Sequence, residues 1–183
     1  MPNRIESKEL VYDGKIVKGY DILMRMDDGR TVRRDFLHYR GATVVLPVLA
    51  DGRIVLIRNW RFAVEEHLWE LPAGLIDEGE APAACAAREL AEETGYTAGR
   101  IKPLGTFYTG PGTMDERMHA FLATDLTAGR QELEIYEEIT VEQREEAEVR
   151  RMILSGELHD AKTISTLCIY WLSRGQANSR QSE

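Results

Sequence analysis

The sequence predicts an α/β fold with a mixed sheet, preceded by a small N-terminal antiparallel β meander. Three observations carry that reading. Asp-Gly pairs at Asp13-Gly14, Asp28-Gly29 and Asp51-Gly52 separate stretches rich in β-branched and aliphatic residues. Ala42 to Leu49 is almost unbroken apolar, and an alanine-rich helical pattern runs from Pro82 to Glu93. Asp-Gly in such a setting is a hairpin signal, because the pair readily supplies the positive φ angles of a type I′ turn. Strands are therefore expected near 4–12, 15–26, 30–38, 43–50 and 53–60. The run Ala42-Thr43-Val44-Val45-Leu46-Pro47-Val48-Leu49 suits a strand buried on both faces, whereas Thr31 to Phe36 is far more polar. The first two hairpins thus form an outer meander over 1–40, and the core sheet starts near residue 41.

Pro82 fits the first helical position, where its missing N–H costs nothing, and Ala83, Ala84, Ala86, Ala87 and Ala91 favour helix until Gly95 stops it. A further strand pair near 101–109 and 117–125 brackets Gly110-Pro111-Gly112. Gln131 to Arg150 is expected to hold a loop, a short strand and the start of a helix. Two helices follow, near 142–155 and 162–173, separated by Gly156 and the turn Leu158-His159-Asp160. The main domain then spans 41–175, and 176–183 is a polar, frayed tail.

With 183 residues, 43% of them hydrophobic and 30% charged, the chain has the composition of one soluble globular core with a modest extension. It has no apolar run of the roughly 20 residues that a membrane span requires. The start Met1-Pro2-Asn3-Arg4 is polar, so the expected compartment is the cytoplasm. Cys85 and Cys168 lack metal or redox spacing and read as two reduced, buried thiols. A net charge of −8 argues against a nucleic-acid backbone as partner. An anionic small substrate would need local attraction from arginine, a helix N-terminus or a divalent cation.

Chemistry concentrates in residues 74 to 96, Gly-Leu-Ile-Asp-Glu-Gly-Glu-Ala-Pro-Ala-Ala-Cys-Ala-Ala-Arg-Glu-Leu-Ala-Glu-Glu-Thr-Gly-Tyr. On a helix Glu89, Glu92 and Glu93 share one arc of about 100°. Like charges so spaced repel, and Arg88 can pair with Glu92 four residues on but cannot neutralise all three. A hard divalent cation such as Mg²⁺ or Mn²⁺ accepts carboxylate and carbonyl oxygens and would compensate them. Taken alone, E-x-x-E-E describes a solvated acidic helix face. The flanking positions decide otherwise, because Gly74, Glu80, Arg88, Glu89, Leu90, Glu92, Glu93 and Gly95 match the Nudix box, G-x5-E-x7-R-E-U-x-E-E-x-G-U. Chance alone would produce such a match on the order of one time in a million. Tyr96 departs from the aliphatic residue of the last position, a change expected to affect packing rather than chemistry.

The chain thus resembles the Nudix hydrolase superfamily, and the resemblance implies an α/β/α sandwich in which the box forms loop, helix and loop. It implies Glu89 and Glu93 as metal ligands with the backbone carbonyl of Ala73, and Glu92 as a further ligand or a water-positioning group. Arg88 and Glu80 would hold the cluster in orientation, with Glu80 also favoured by the helix dipole. Outside the box the chain is similar to the ADP-ribose pyrophosphatase branch. The similarity lies in Arg58-Asn59-Trp60-Arg61-Phe62, in Trp69-Glu70-Leu71-Pro72-Ala73-Gly74, in Phe107 to Glu116 and in Ser155 to Thr163. A proline fifteen residues past the box marks that branch, and Pro111 stands fifteen past Tyr96.

That branch implies ADP-ribose as substrate, with AMP and ribose 5-phosphate as products of in-line attack by a metal-activated water. Arg61 matches a phosphate-binding arginine, the other reading being a surface salt bridge. Trp60 is a candidate to stack on adenine, or else an indole packed between strand and helix. Arg33 and Arg34 lie on the second hairpin, where paired subunits of the branch contribute contacts; as bare residues they read as a solvated strand edge. Glu116 is a candidate ribose contact. Glu137 or Glu138 would assist the attacking water, with Glu134 left open. His38, His67, His119 and His159 show no ligand spacing. The meander implies a homodimer, its strands exchanging across a two-fold axis. GDP-mannose, ADP-glucose or nucleoside triphosphate pyrophosphatases are the alternatives. A non-catalytic ADP-ribose sensor fits less well, because the box glutamates are intact and no basic DNA-binding region follows.

Overall fold

The computed structural model describes residues 4–133, 135 and 137–179; Met1–Asn3, Glu134, Tyr136 and residues 180–183 of the expected tail lie outside the described residues. The backbone divides into two compact units. One comprises the chain up to Gly41 together with Phe107–Arg117, and the other Ala42–Thr106 with the chain from Met118 onward.

In the first unit β1 (Arg4–Asp13), β2 (Val17–Arg25) and β3 (Thr31–Tyr39) form an antiparallel sheet in that order. Tyr20 pairs with Phe36, their rings 5.8 Å apart, and the Lys8 ammonium lies 3.9 Å from the Tyr20 centroid. β1 is exposed along its whole length. The loop after Phe107 joins this unit by backbone pairing, since Leu37 N donates to Thr113 O (2.8 Å) and Asp115 N to Leu37 O (3.3 Å). The Asp115 carboxylate accepts from Tyr39 N at 3.0 Å and lies 2.7 Å from His38 Nδ1. No local sequence pattern announces such a pairing, because its partners are more than 70 positions apart.

The Asp-Gly turns differ from the type I′ expectation. Gly29 and Gly52 take positive φ (84° and 90°), but Asp28 and Asp51 do not, and neither does Gly14. Instead each Asp carboxylate accepts the backbone N–H two residues on, Arg30 N at 3.0 Å and Arg53 N at 3.1 Å, and pairs with the same arginine's side chain. An aspartate that closes its own turn has no need of the left-handed conformation that only glycine reaches without strain. Asp51-Gly52 also joins no extended hairpin. Val48 and Ile54 make a single bridge, after which the chain passes from one sheet to another.

The second unit holds the core. β4 (Ala42–Pro47) is buried at every position, as its unbroken apolar run requires. It pairs in parallel with β9 (Arg117–Ala128) and antiparallel with β7 (Ala73–Leu75), and β8 (Tyr96–Tyr108) completes the mixed sheet β7-β4-β9-β8. β5 (Ile54–Arg61), β6 (Glu66–Glu70) and β10 (Ile139–Arg144) form a second sheet, ordered β10-β5-β6. β6 and β7 have five and three residues, too few for a periodic signal. Both α1 (Pro82–Thr94) and α3 (Ala161–Ser179) contact β4, which gives the helix–sheet–helix layering of the expected α/β sandwich. Ala86 and Leu90 of α1 pack with Val45, Phe121 and Ala123, and Tyr96 closes over that cluster.

α2 (Glu146–Ser155) starts later than expected, because Glu142–Arg144 pairs with β5 as strand. α3 runs through Gly175 to Ser179, past the helix end expected near residue 173; one glycine costs a helix only about 1 kcal/mol. Cys85 is buried, but Cys168 is exposed, contrary to expectation. It follows Leu167 on a helix whose buried stripe is Thr163, Thr166 and Leu167, and a step of about 100° turns it outward. No helix among the described residues is long and apolar enough to cross a membrane.

Gly95 ends α1 at φ 74°, its N–H donating to Ala91 O, and a methyl group there would meet the backbone of Arg130 and Gln131 at 3.0 Å. Gly95→Ala should therefore lower unfolding stability by roughly 1–3 kcal/mol in chemical denaturation. Gly112→Ala, where a methyl meets nothing within 4 Å, is the control and should leave the midpoint unchanged.

Candidate active site

The face of α1 that packs on the core carries two acids along with its apolar residues. Cys85, Ala86, Glu89, Leu90 and Glu93 are all buried. Spacing of four residues places Glu89 and Glu93 on one edge, 9% and 3% exposed, whereas the Glu92 side chain is 37% exposed. β7 lies against that edge, held by Thr43–Gly74 and Val44–Ala73 pairing with β4. Ala73 N donates to Glu93 Oε2 at 2.9 Å. Gly74 abuts Glu89 so closely that an added methyl would overlap the carboxylate. The box glycine is thus required for close approach, because its φ is not positive.

Arg88 is the hub. Its Nε donates to Glu80 Oε1 (3.0 Å) and Nη2 to Glu80 Oε2 (3.1 Å), while Nη1 donates to Glu89 Oε1 (2.7 Å) and Glu92 Oε2 (2.9 Å). Spacing alone suggested only the Glu92 pair; the Glu80 pair depends on where the loop before the helix returns, and the Glu89 pair joins neighbours on the helix itself. Glu80 also accepts from Asp77 N at 3.1 Å. Its hydrogen bond to Arg88 chiefly holds the Glu80 carboxyl well below the usual carboxylate range. Glu89 is raised, first by burial, with Arg88 opposing and Glu92 and Glu137 adding repulsion. Burial pushes Glu93 up to about 8; the Ala73 N–H and Arg61 oppose the rise, and Glu89 and Glu137 reinforce it.

The donor set fits a hard divalent cation. Among the described residues no three His, Cys, Asp or Glu side chains converge as a cage, so the expected Glu89, Glu92 and Glu93 trio is not assembled as one. Arg88 holds Glu92 toward the outer side of the helix. Two buried carboxylates remain on the inner edge, and Mg²⁺ is commonly held by one or two carboxylates while water and substrate phosphate fill its other positions. Two such groups raised by burial and mutual repulsion are sites where positive charge is favoured.

Arg61, at the end of β5, is not in a surface salt bridge. Its Nε donates to Glu70 Oε1 (2.7 Å) and its Nη2 to Glu70 Oε2 (2.5 Å), and Glu70 is fully buried. Lys162 Nζ donates to the same Oε2 at 2.6 Å. Sequence reasoning gave Glu70, Asp160, Lys162 and Thr163 no role, although a charged residue inside the apolar stretch Leu68–Leu71 was an available signal. Trp60 projects from the opposite face of β5 and packs at a tilt against His67, ring centroids 5.1 Å apart, so the strand's pleat separates it from Arg61. It is 42% exposed and is not packed between a strand and a helix.

Of the candidate loop glutamates, Glu137 is half-buried and its charge acts on both Glu89 and Glu93, whereas Glu138 is exposed. Glu134 lies outside the described residues. In the first unit Arg33 pairs with Asp21, and the Arg34 guanidinium donates to Arg33 O at 3.0 Å. Pro111 is exposed in the loop captured by β3, and Glu116 accepts from Thr109 Oγ1 at 2.5 Å. His159 lies 3.4 Å from Glu66.

The match to the NUDIX domain model spans residues 38–166, and the chain belongs to the Nudix family. It is 36% identical over 159 residues to an ADP-ribose pyrophosphatase of Bacillus subtilis (strain 168), covering 86% of each chain. It is also 32% identical over 164 residues to a GDP-mannose pyrophosphatase of Escherichia coli O1:K1 / APEC, covering 81% of this chain and 82% of the relative. A crystal structure of an ADP compounds hydrolase superposes with a TM-score of 0.82 at 25% identity, covering 96% of both chains.

The buried Glu93 carboxyl has a definite consequence for stability. With its pKa raised to about 8, the folded chain keeps a proton that the unfolded chain loses in the ordinary carboxylate range. Stability contributed by Glu93 therefore falls as pH rises through that window and levels off above it. In a chelating buffer, Glu93→Gln should match wild type near pH 4 and exceed it near pH 9 by on the order of a few kcal/mol. Denaturant titrations at both pH values check this, and a difference independent of pH would assign the buried proton elsewhere.

Proposed function

We propose that the chain hydrolyses the pyrophosphate bond of ADP-ribose, giving AMP and ribose 5-phosphate, with Mg²⁺ or Mn²⁺ as cofactor. The observation that carries this reading is the buried pair Glu89 and Glu93, fixed by Arg88, Glu80 and the Ala73 N–H beside Arg61. The names of the Bacillus relative and of the similar crystal structure support an ADP-containing substrate. A divalent cation, when bound, supplies positive charge against the phosphate oxygens and acidifies water.

The chain's own residues supply position and proton transfer. Glu89 and Glu93 would hold the cation, with the Ala73 carbonyl as a further oxygen donor. Arg88 fixes Glu89 through a hydrogen bond that Glu80 orients from behind. Arg61 grips a phosphate and offsets charge gained there in the transition state. Glu137 takes the proton of the attacking water, a role its proximity to Glu89 and Glu93 supports over Glu138. Pro111, Glu116, Arg33 and Arg34 are candidate substrate contacts.

A product-resolved screen with Mg²⁺ or Mn²⁺ tests the assignment. ADP-ribose should be consumed with release of AMP, and faster turnover of GDP-mannose, the substrate named for the Escherichia coli relative, would overturn it. Glu137→Gln should lower kcat by roughly two to four orders of magnitude, and Glu138→Gln by much less.

The exposed strand β1 supports a homodimer. Ile5, Val11 and Tyr12 are each at least 60% exposed on an edge whose backbone can pair with another chain. Light scattering should give twice the chain mass of 20.8 kDa; a monomer at micromolar concentration would count against it.

A further inference from the structure

The stretch Asp160-Ala161-Lys162-Thr163 takes no part in the acidic site, yet it ends on a buried carboxylate that touches Arg61. We propose that Glu70 and Lys162 form an internal brace that holds Arg61 oriented for the substrate's pyrophosphate; this rests on the phosphate-binding role proposed for Arg61.

Glu70 stands at the end of β6 with no exposed surface, and both its oxygens are engaged. Oε1 accepts from Arg61 Nε (2.7 Å), and Oε2 is shared by Arg61 Nη2 (2.5 Å) and Lys162 Nζ (2.6 Å). Lys162 in turn lies 3.1 Å from Asp160, whose carboxylate accepts Thr163 N at 3.0 Å and so caps the start of α3. A second tie runs beside the first, Leu71 N donating to Thr163 Oγ1 at 2.8 Å. Positions 70–71 and 162–163 are thereby fixed to each other by two bonds of different chemistry.

Exposure grades along the network. The side chains of Glu70, Lys162 and Asp160 are 0%, 13% and 14% exposed, whereas Arg61 is 38% exposed. The network is anchored inside and reaches solvent through the guanidinium. Nε and Nη2 are committed to Glu70, and among the described residues no acceptor bonds Nη1. A planar fork held by two of its nitrogens presents the third in a fixed direction, which suits a phosphate oxygen. The guanidinium also acts electrostatically on Glu93, so it lies toward the acidic edge.

Stability alone gives little reason for this arrangement. A buried ion network is commonly no more stabilising than well-packed apolar side chains of similar volume. Its distinctive product is orientation, because a fixed arginine loses less rotamer entropy when it meets its ligand. Removing Lys162 leaves Glu70 Oε2 with one donor instead of two and frees the carboxylate to swing with Arg61.

The test measures Kd for the non-hydrolysable α,β-methylene analogue of ADP-ribose in Mg²⁺, together with kcat for ADP-ribose. Five forms of the full chain are compared: wild type, Arg61→Met, Lys162→Met, Lys162→Arg and the double variant Arg61→Met/Lys162→Met. Lys162→Met should weaken binding roughly tenfold, Lys162→Arg should restore it to within roughly twofold, and Lys162→Met should add almost nothing in the Arg61→Met background. Equal losses in both backgrounds, or wild-type binding by Lys162→Met while Arg61→Met binds poorly, would overturn the brace and leave the role of Arg61 standing. Wild-type binding by Arg61→Met would overturn both. If Lys162→Met does not fold, Asp160→Asn loosens Lys162 more mildly, and the same comparison in the two Arg61 backgrounds decides.

Discussion

A pair of acids buried on the inner edge of α1 is the constraint on which the rest of the site depends. Glu89 and Glu93 lie among Cys85, Ala86 and Leu90, on a face that helical periodicity alone would reserve for apolar side chains. Carboxylates in such surroundings are costly unless hydrogen-bonded or paired. The neighbouring structure answers that cost: β7 places the Ala73 N–H against Glu93, Gly74 yields its side-chain space to Glu89, and the loop before the helix returns Glu80 to hold Arg88. The compensation is incomplete, since both acids keep a raised affinity for protons. A fully neutralised cluster would have no use for a cation.

Two arginines meet this acidity in different ways. Arg88 is enclosed by Glu80, Glu89 and Glu92, so its charge is used within the protein and serves orientation. Arg61 is tied on one side to a carboxylate that it shares with Lys162, and its charge remains directed outward as well. The division suits a site that must keep its acids ordered and still receive an anionic ligand. A chain of net charge −8 has no general attraction for phosphates, so local cations must supply it.

Much of the fold was legible because periodicity and punctuation are local. The unbroken apolar run of β4, the alanines and Gly95 of α1 and the polarity of the meander were read from neighbours in the chain. The errors share a cause. Asp28 and Asp51 close their turns with their own side chains, β4 and β5 part company after one bridge, and Glu142–Arg144 extends as strand because β5 lies beside it. In each case a bond made in three dimensions selected among conformations that the local sequence allowed about equally.

What the sequence by itself determined is the Nudix constellation, because Gly74, Glu80, Arg88, Glu89, Glu92, Glu93 and Gly95 lie within one short stretch of chain, from β7 through the loop after it to the cap of α1. Its chemistry follows from spacing that any reader of the chain can measure. Tertiary structure alone decided that Glu89 and Glu93 are buried while Glu92 faces outward, that Glu137 rather than Glu138 lies near them, and that Arg61 shares Glu70 with Lys162. Those contacts join residues from about 10 to more than 90 positions apart. Their partners are chosen by the packing of β6, β7 and α3 around a common core, and a linear pattern carries no measure of that distance.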